Sequence, residues 1–353
     1  MTYFYGRLFA SHPEIRAMFP AALADQRRRL YRALCRIAAG MRDGDPVLEE
    51  YLAALGRDHR KFGVRPEHYE AFREALEATF LRYPPDAGRW TELERAAAFA
   101  RATEIMTSAA EADPGPAWWT AEVVARESRT PSVTVLTIRP GQPYPYLPGQ
   151  YATVQTPRWP RVWRPYSIAN APGGQAGDGT LTLHVRLVAG GLVSTALLHA
   201  APGDPVLLGP AAGTMTADTA SPRDALCLAG GTGLAPVKAI AEALLALPRA
   251  DGTARRVTVY FGARTESDLY DLPALRAMER DRPSLEVRAA TSEEHSPAAL
   301  HGTIPSLAAD ACWQGRDIYI SGPEAMIART VKRLTDRGAP PGLLRYDPSP
   351  YPA

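Results

Sequence analysis

Four short stretches combine residue types that could hold a phosphorylated, flat-ringed cofactor. In RPYSIAN, Arg164, Pro165, Tyr166 and Ser167 join a forked cation, a rigid turn, an aromatic face and a hydroxyl. Arginine can pair a phosphate bidentately, a tyrosine ring can lie along a flat cofactor, and the serine hydroxyl can donate to that cofactor's polar edge. VAGGLVS adds Gly190, Gly191, Val193 and Ser194, a glycine turn whose N–H groups could hold a pyrophosphate. In CLAGGTGLAPVKAI, Gly230, Gly231, Thr232, Gly233, Leu234 and Pro236 stand where an apolar strand gives way to a helix. Glycines let the backbone approach a pyrophosphate closely, and the free N–H groups and positive end of the next helix attract it. Pro236 occupies the place of the third glycine of a GxGxxG fingerprint, so by itself this stretch fits a plain tight turn equally well. YISGPEAMI repeats the arrangement with Ser321, Gly322 and Pro323, and two glycine turns on one sheet edge define a crevice. Taken singly, the first two stretches also fit a surface arginine, a core tyrosine and a common hairpin.

A different chemistry is offered near the N-terminus. Leu48, Leu52, Leu55 and His59 recur on one helical face, so His59 points into an apolar interior. A histidine there is either a hydrogen-bonded core residue or a metal ligand. DHRKFGVRPEHYEAF sets His59 at the end of one helix and Tyr69 in the first turn of the next, where the phenol can reach the imidazole and fix its orientation. His68 is turned about 100° from Tyr69 and is expected in solvent.

These residues need three kinds of scaffold. Up to Ala112 the chain is rich in Ala, Leu, Arg and Glu at helical spacing, with Pro66 placed to open a helix whose apolar face is Tyr69, Phe72, Leu76, Phe80 and Tyr83. EADPGPAWW breaks this block. From Trp118 the period drops to two: Val133, Val135, Leu181, Leu183 and Val185 alternate with Thr134, Thr182, His184 and Arg186, as in an antiparallel barrel ending near Thr219. After Ser221, strands alternate with helices, among them Pro236 to Leu247 and Glu324 to Arg337, which implies a parallel sheet. The expected fold is multidomain: an all-α domain over 1–112, an antiparallel β-barrel over 117–219 and an α/β Rossmann-like domain over 222–353.

Bulk composition narrows the partners. Lys plus Arg (40) nearly equal Asp plus Glu (38), so no basic field recommends nucleic acid or an anionic membrane, and a small-molecule substrate is expected. Cys35, Cys227 and Cys312 are odd in number and far apart, which fits reduced thiols in the cytoplasm. No signal pattern and no long apolar span is apparent.

In order, RxYS, GGxxS, GGTGxxP and SGPxxM resemble the ferredoxin-reductase family of FAD and NAD(P)H modules over Trp118 to Tyr346. The resemblance implies hydride transfer from a nicotinamide to FAD, which then releases electrons singly. Gln150 and Tyr151 in GQYATV match the family's strand before RxYS, and Ser321 stands where the family often has cysteine. An aromatic residue that covers the flavin is implied at the chain's end, where Tyr346 and Tyr351 both qualify. Upstream, FYGRLFASHPEIRAMF and DQRRRL resemble the start of the globin domain of flavohaemoglobins. That match makes Tyr5 and Gln26 the distal polar pair, Phe19 the ring wedged against haem b, Leu30 a distal lining residue and His59 the proximal iron ligand, with Tyr69 behind it. Three features depart from the family. The chain starts inside the match to the second globin helix, the acidic partner of the proximal pair falls at Ala110 with Glu111 one residue on, and Asp58 precedes the histidine where lysine is frequent. The implied activity runs from NAD(P)H through FAD to a haem that binds O2 and oxidises nitric oxide to nitrate. NADH is favoured, since no basic pair follows VYFGA beyond Arg264. Two further readings remain open: an O2-binding or redox-sensing globin kept ferrous by its flavin, and a flavin reductase with a haem-free globin domain that serves a separate protein acceptor.

Overall fold

Helical spacing, capping and glycine stops give the N-terminal block its shape. The computed structural model describes residues 1–84, 91–173, 179–249 and 252–347. The block contains α1 (Thr2–Ser11), α2 (Ala24–Asp43), α3 (Leu48–His59), α4 (Pro66–Arg82) and α5 (Glu92–Ala112). α2 stops at Gly44, whose φ of 65° lies in the left-handed region that glycine enters without strain. Pro66 opens α4, where no N–H is required. His68, expected in solvent and only partly covered, also accepts the Arg65 N–H at 3.0 Å and caps this helix. The stripe along α4 fades at its end: Leu76 is buried, but Tyr83 lies just past the last turn and is exposed. At the start of α5, Thr91 and Glu94 satisfy each other's backbone N–H groups.

Two cores fill the block. Phe4, Tyr5, Leu8 and Ile15 pack with Ala71, Ala75 and Leu76 of α4, and Leu48 and Leu52 of α3 pack with Ala102 and Met106 of α5. α3 and α5 approach so closely that a Cβ on Gly56 would lie 2.1 Å from the Met106 carbonyl oxygen. Gly56→Ala is therefore expected to destabilise the block by about 3 kcal/mol, because backbone cannot rotate away as a side chain can. Gly6→Ala, with nothing within 4 Å of the added carbon, should be neutral or stabilising by up to about 1 kcal/mol. Urea unfolding followed by circular dichroism separates the two; equal midpoints would contradict the close crossing.

The second compact unit comprises Trp119–Trp159 and Trp163–Ala353; the first takes in Met1–Trp118 with Pro160–Val162. Its first part has β1 (Trp119–Thr130), β2 (Val133–Pro140), β3 (Tyr151–Gln155), β4 (Arg164–Ser167), β5 (Leu181–Arg186), α6 (Leu192–Leu198) and β6 (Pro205–Leu208). The sheet order β4-β3-β6-β1-β2-β5 is antiparallel, and a bridge from Ile168 to Leu183 joins the end of β4 to β5, curling the sheet into a barrel. The VAGGLVS turn runs directly into α6, a helix the short sequence window did not announce.

The remainder alternates: β7 (Ala225–Gly230), α7 (Leu234–Ala246), β8 (Val257–Ala263), α8 (Leu272–Asp281), β9 (Leu285–Thr291), β10 (Leu300–His301), α9 (Ile304–Asp310), β11 (Asp317–Ser321), α10 (Glu324–Asp336) and β12 (Leu344–Arg345). All pairs are parallel in the order β10-β9-β8-β7-β11-β12. Cys227 and Ala229 of β7 pack under α7 and α8, while Leu226 and Leu228 pack under α9 and α10. β7 is buried throughout because both faces are covered. Strand order reverses between β7 and β11, the switch point at which open α/β sheets bind ligands.

Candidate functional site

Tyr5 sits at the centre of the first core with 2% of its surface exposed, and its phenol is hydrogen-bonded to the Gln26 side chain. Burial pushes that phenol far above the ordinary tyrosine range, so it stays protonated. The Phe19 ring lies edge-on at 5.6 Å, and Leu30 packs against the same cluster. The residues of the expected distal side are thus brought together.

His59 ends α3, and its Nδ1 lies 2.6 Å from the Leu55 carbonyl, one turn back. That bond makes Nδ1 the N–H nitrogen and leaves the lone pair on Nε2. Burial lowers the imidazole's proton affinity, which also favours the neutral form. Orientation therefore comes from a backbone carbonyl, where the sequence suggested the Tyr69 phenol. Tyr69 instead shares a cavity of about 160 Å³ with His59, Gly56, Thr107, Ala110 and Glu111. Burial pushes its phenol up to about 12. Both Ala110 and Glu111 line this cavity, so the one-residue offset does not remove the carboxylate from it, although no hydrogen bond joins His59, Tyr69 and Glu111 among the described residues. Asp58 has a partner the sequence did not reveal: the buried Lys61 ammonium, 2.5 Å away and one turn on.

A planar apolar group held by one imidazole nitrogen would suit this arrangement. Of the 20 residues of α2 only Gly40 is buried, although Leu30, Leu34, Ile37 and Met41 form an apolar stripe. Such a stripe, a buried Tyr–Gln pair and a histidine with its lone pair on Nε2 are what a haem would require.

On the barrel, β3 and β4 place Tyr151 opposite Ser167, Ala152 opposite Tyr166, Thr153 opposite Pro165 and Val154 opposite Arg164. All four β4 residues are half-buried. Burial raises the Tyr166 phenol well above its usual range, while Arg164 donates to the Trp163 carbonyl at 3.0 Å. Gln150 supports this strand rather than facing outward: its amide accepts from the Leu147 N–H at 2.9 Å and donates to the Gly213 carbonyl at 3.2 Å. Gly190, at φ 71°, makes the turn before α6, and the Gly191 N–H is taken by the Val188 carbonyl at 2.8 Å. Ser194 closes the same turn through Gly191 and Val188, so the donors left for an anion are the first N–H groups of α6, beginning at Leu192 and Val193.

At the switch point the two glycine turns touch. A Cβ on Gly233 would meet the Gly322 nitrogen and the Ser321 carbonyl at 2.5 Å, and one on Gly230 would meet the Met326 sulfur at 2.4 Å. α7 begins at Leu234, two residues before the expected Pro236, which sits buried in its first turn where proline is tolerated. A single 3-10 turn, Gly231–Gly233, leads into α7 with Gly233 as its N-cap, and Pro323 is the N-cap of α10. Arg186, which was not singled out in the sequence, brings its guanidinium to 3.2 Å from where a Gly231 Cβ would stand. Its period-two relation to His184 on β5 was the available signal. At the C-terminus Asp347 accepts from the Thr214 N–H at 2.6 Å, the Thr214 hydroxyl at 2.8 Å and the Met215 N–H at 3.0 Å. The same aspartate abuts Gly213, beside Tyr151; the preceding residue, Tyr346, is 37% exposed, and Tyr351 lies outside the described residues.

The globin family model matches residues 2–107, the oxidoreductase FAD-binding domain 121–216 and the oxidoreductase NAD-binding domain 227–332. The order of these three domains decides the matter. The chain belongs to the flavohaemoglobin family. This flavohaemoglobin is 29% identical over 279 residues to the flavohemoprotein of Bordetella pertussis, covering 71% of this chain and 66% of that one. Its reductase half is 37% identical over 166 residues to the ferredoxin–NAD(P)(+) reductase component of the naphthalene 1,2-dioxygenase system of Pseudomonas putida; the chain spans 48% of that relative's length. The fold matches a flavohemoglobin from Malassezia yamatoensis with bound FAD and heme at a TM-score of 0.77, 17% identity and coverage of 98% and 92%. A globin, an FAD-binding and an NAD-binding domain on one chain make the flavohaemoglobin an oxidoreductase whose cofactors are haem, FAD and NAD(P)H. Among the described residues no helix is long and apolar enough to cross a membrane.

Proposed function

We propose that this chain oxidises nitric oxide to nitrate with O2, using electrons drawn from NAD(P)H through FAD to a globin haem. The observation that carries the reading is the buried Tyr5 phenol, hydrogen-bonded to Gln26 within an otherwise apolar core of the domain that presents His59. When bound, haem supplies the iron centre for O2 and nitric oxide, and FAD converts a two-electron donor into single electrons. One NADH then serves two nitric oxide and two O2 molecules, yielding two nitrate, NAD+ and a proton. His59 would hold the iron through Nε2. The Tyr5 hydroxyl, kept protonated by burial, and the Gln26 amide offer donors to a polar diatomic ligand, while Phe4, Phe9 and Phe19 exclude water. Tyr69 and Glu111, in the cavity behind His59, are the proximal polar residues.

On the reductase side, Arg164 would pair an FAD phosphate, with Tyr166 along the ring, Ser167 at its polar edge and Tyr346 as its cover. Gly190 and Gly191 would admit the pyrophosphate, and Gly230 to Pro236, Ser321 to Pro323 and Arg186 would take the nicotinamide dinucleotide. Acidic side chains support NADH over NADPH: after β8 and β9, where a 2′-phosphate would lie, Glu294 accepts the Glu266 N–H at 2.8 Å, and Asp268 lies 3.9 Å from the nearby cation Arg264. The domain limits 1–112, 117–219 and 222–353 belong to this proposal.

Anaerobic NADH followed by nitric oxide in aerated buffer tests the reading. The expected result is a flavin and Soret spectrum that shifts to ferrous haem, then one nitrate per nitric oxide consumed, with Tyr5→Phe about 100-fold slower in nitric oxide turnover but not in flavin reduction. Ferrous haem without nitrate would favour an O2-binding or sensing role. The similarity to a ferredoxin–NAD(P)(+) reductase component favours a second reading, electron delivery to a separate protein. Flavin absorbance without a Soret band would select it.

A further inference from the structure

The alternating pattern of β5 made His184 a residue of the barrel's polar face, yet it is only 4% exposed. The Rossmann-like half covers it. His184 Nδ1 lies 2.6 Å from the Tyr270 hydroxyl, and the Tyr270 ring stands edge-on both to His184 at 5.4 Å and to Phe261 of β8 at 5.8 Å. The next residue, Asp271, is 1% exposed. Lys238 of α7 donates to its Oδ2 at 2.6 Å, and Arg129, at the end of β1, brings Nε to 3.2 Å from Oδ1. His184 Nε2, buried without a hydrogen-bond partner, lies 3.9 Å from Oδ2.

A carboxylate removed from water persists only if cations compensate it. Here the cations come from both halves: Arg129 from the barrel and Lys238 from the nucleotide helix, while burial keeps the neighbouring His184 neutral. Lys238 stands one turn beyond Leu234, where the GGTG loop enters α7. Two residues past His184 on the same strand face, Arg186 approaches Gly231 of that loop. Val133 and Met215 of the barrel join one apolar core with α7 and Tyr270, and the Ala171 N–H donates to Glu242 of α7 at 2.7 Å. The interface is close-packed, and Asp271 is a deeply buried charge within it.

We propose that Asp271, clamped by Arg129, Lys238 and the His184–Tyr270 pair, is a positioning residue that holds the nucleotide loop of α7 at the separation from the flavin barrel at which hydride passes. The proposal rests on the reading that this half binds FAD and a nicotinamide dinucleotide. In the step concerned, the C4–H bond of NADH breaks and an N5–H bond forms on FAD; NADH becomes NAD+ and the flavin gains both electrons with that hydrogen. Transfer requires the reacting atoms about 3–3.5 Å apart, and a displacement of about 1 Å can cost about 100-fold.

Stopped-flow reduction of the full-length protein's flavin by NADH, with hydrogen–deuterium exchange of 181–186 and 234–246 in the absence of NADH, tests it. Asp271→Asn should lower the limiting rate about 100-fold and Arg129→Met about 10-fold, with FAD retained and the NADH dissociation constant within about threefold. Exchange in both segments should rise in step. If Asp271→Asn does not fold, Arg129→Met decides, since its side chain is 30% exposed and lies at the rim. Limiting rates within twofold of the parent, or a loss of rate without faster exchange, overturn the proposal. A parent flavin that neither NADH nor NADPH reduces overturns the cofactor reading itself.

Discussion

His59→Ala is expected to remove the Soret band while leaving flavin absorbance and NADH-driven ferricyanide reduction within about twofold. The reasoning starts from the Leu55 carbonyl, which accepts the Nδ1–H and so leaves the Nε2 lone pair available as the proposed ligand. Among the described residues no cluster of three His, Cys, Asp or Glu side chains offers an alternative set. Loss of a partner behind a ligating histidine costs about 10-fold to 100-fold in affinity, and loss of the ligand itself should exceed that. Tyr69→Phe, which leaves the Leu55 bond in place, should stay at or below the lower end of that range. Added imidazole should restore the band in His59→Ala, since the cavity behind His59 is lined by Tyr69, Thr107 and Ala110 rather than filled. An unchanged Soret band in the alanine variant would make His59 a core histidine and sink the haem assignment.

Gly233→Ala is expected to lower NADH-dependent flavin reduction by about 100-fold and to destabilise the Rossmann-like half by about 3 kcal/mol, with FAD still bound. The backbone is not the obstacle, because Gly233 has a φ of −60° that any residue adopts. The obstacle is the added carbon, which would stand 2.5 Å from the Gly322 nitrogen and the Ser321 carbonyl. Relief requires the two turns at the switch point to separate, which displaces the donors proposed to hold the dinucleotide. Gly342→Ala meets nothing within 4 Å and serves as the control. Differential scanning calorimetry and stopped-flow reduction check both parts; equal rates in the two variants would show that the turns can part without consequence.

Much of this was legible in the chain. Glycine, proline and serine announce turns by their own backbone chemistry, so RPYS, VAGGLVS, GGTG and SGP could be placed at strand ends without knowing what lay opposite. Helical spacing likewise put His59 on the face of Leu48, Leu52 and Leu55. Other features depended on residues far away in sequence. The glycine at 233 is required because β7 and β11 are neighbours, with Ala229 beside Ser321, and that neighbour arrives about ninety residues later. Period two showed which residues share a face of β5 but not that the Rossmann-like half covers it, so the burial of His184 was not legible. The bond from His59 to a backbone carbonyl was invisible because any residue at position 55 supplies one.

The sequence by itself determined three domains, their order and the glycine and proline turns at the strand ends, since these follow from local propensity, periodicity and the special φ requirements of glycine and proline. Only the tertiary structure decided which buried groups meet: Tyr5 with Gln26, His59 with Leu55, and Asp271 with Arg129, Lys238 and the His184–Tyr270 pair. Pairings of this kind are set by the packing of whole elements, where close contact and removal from water make each polar partner count, and neither acts between residues until the chain has brought them together.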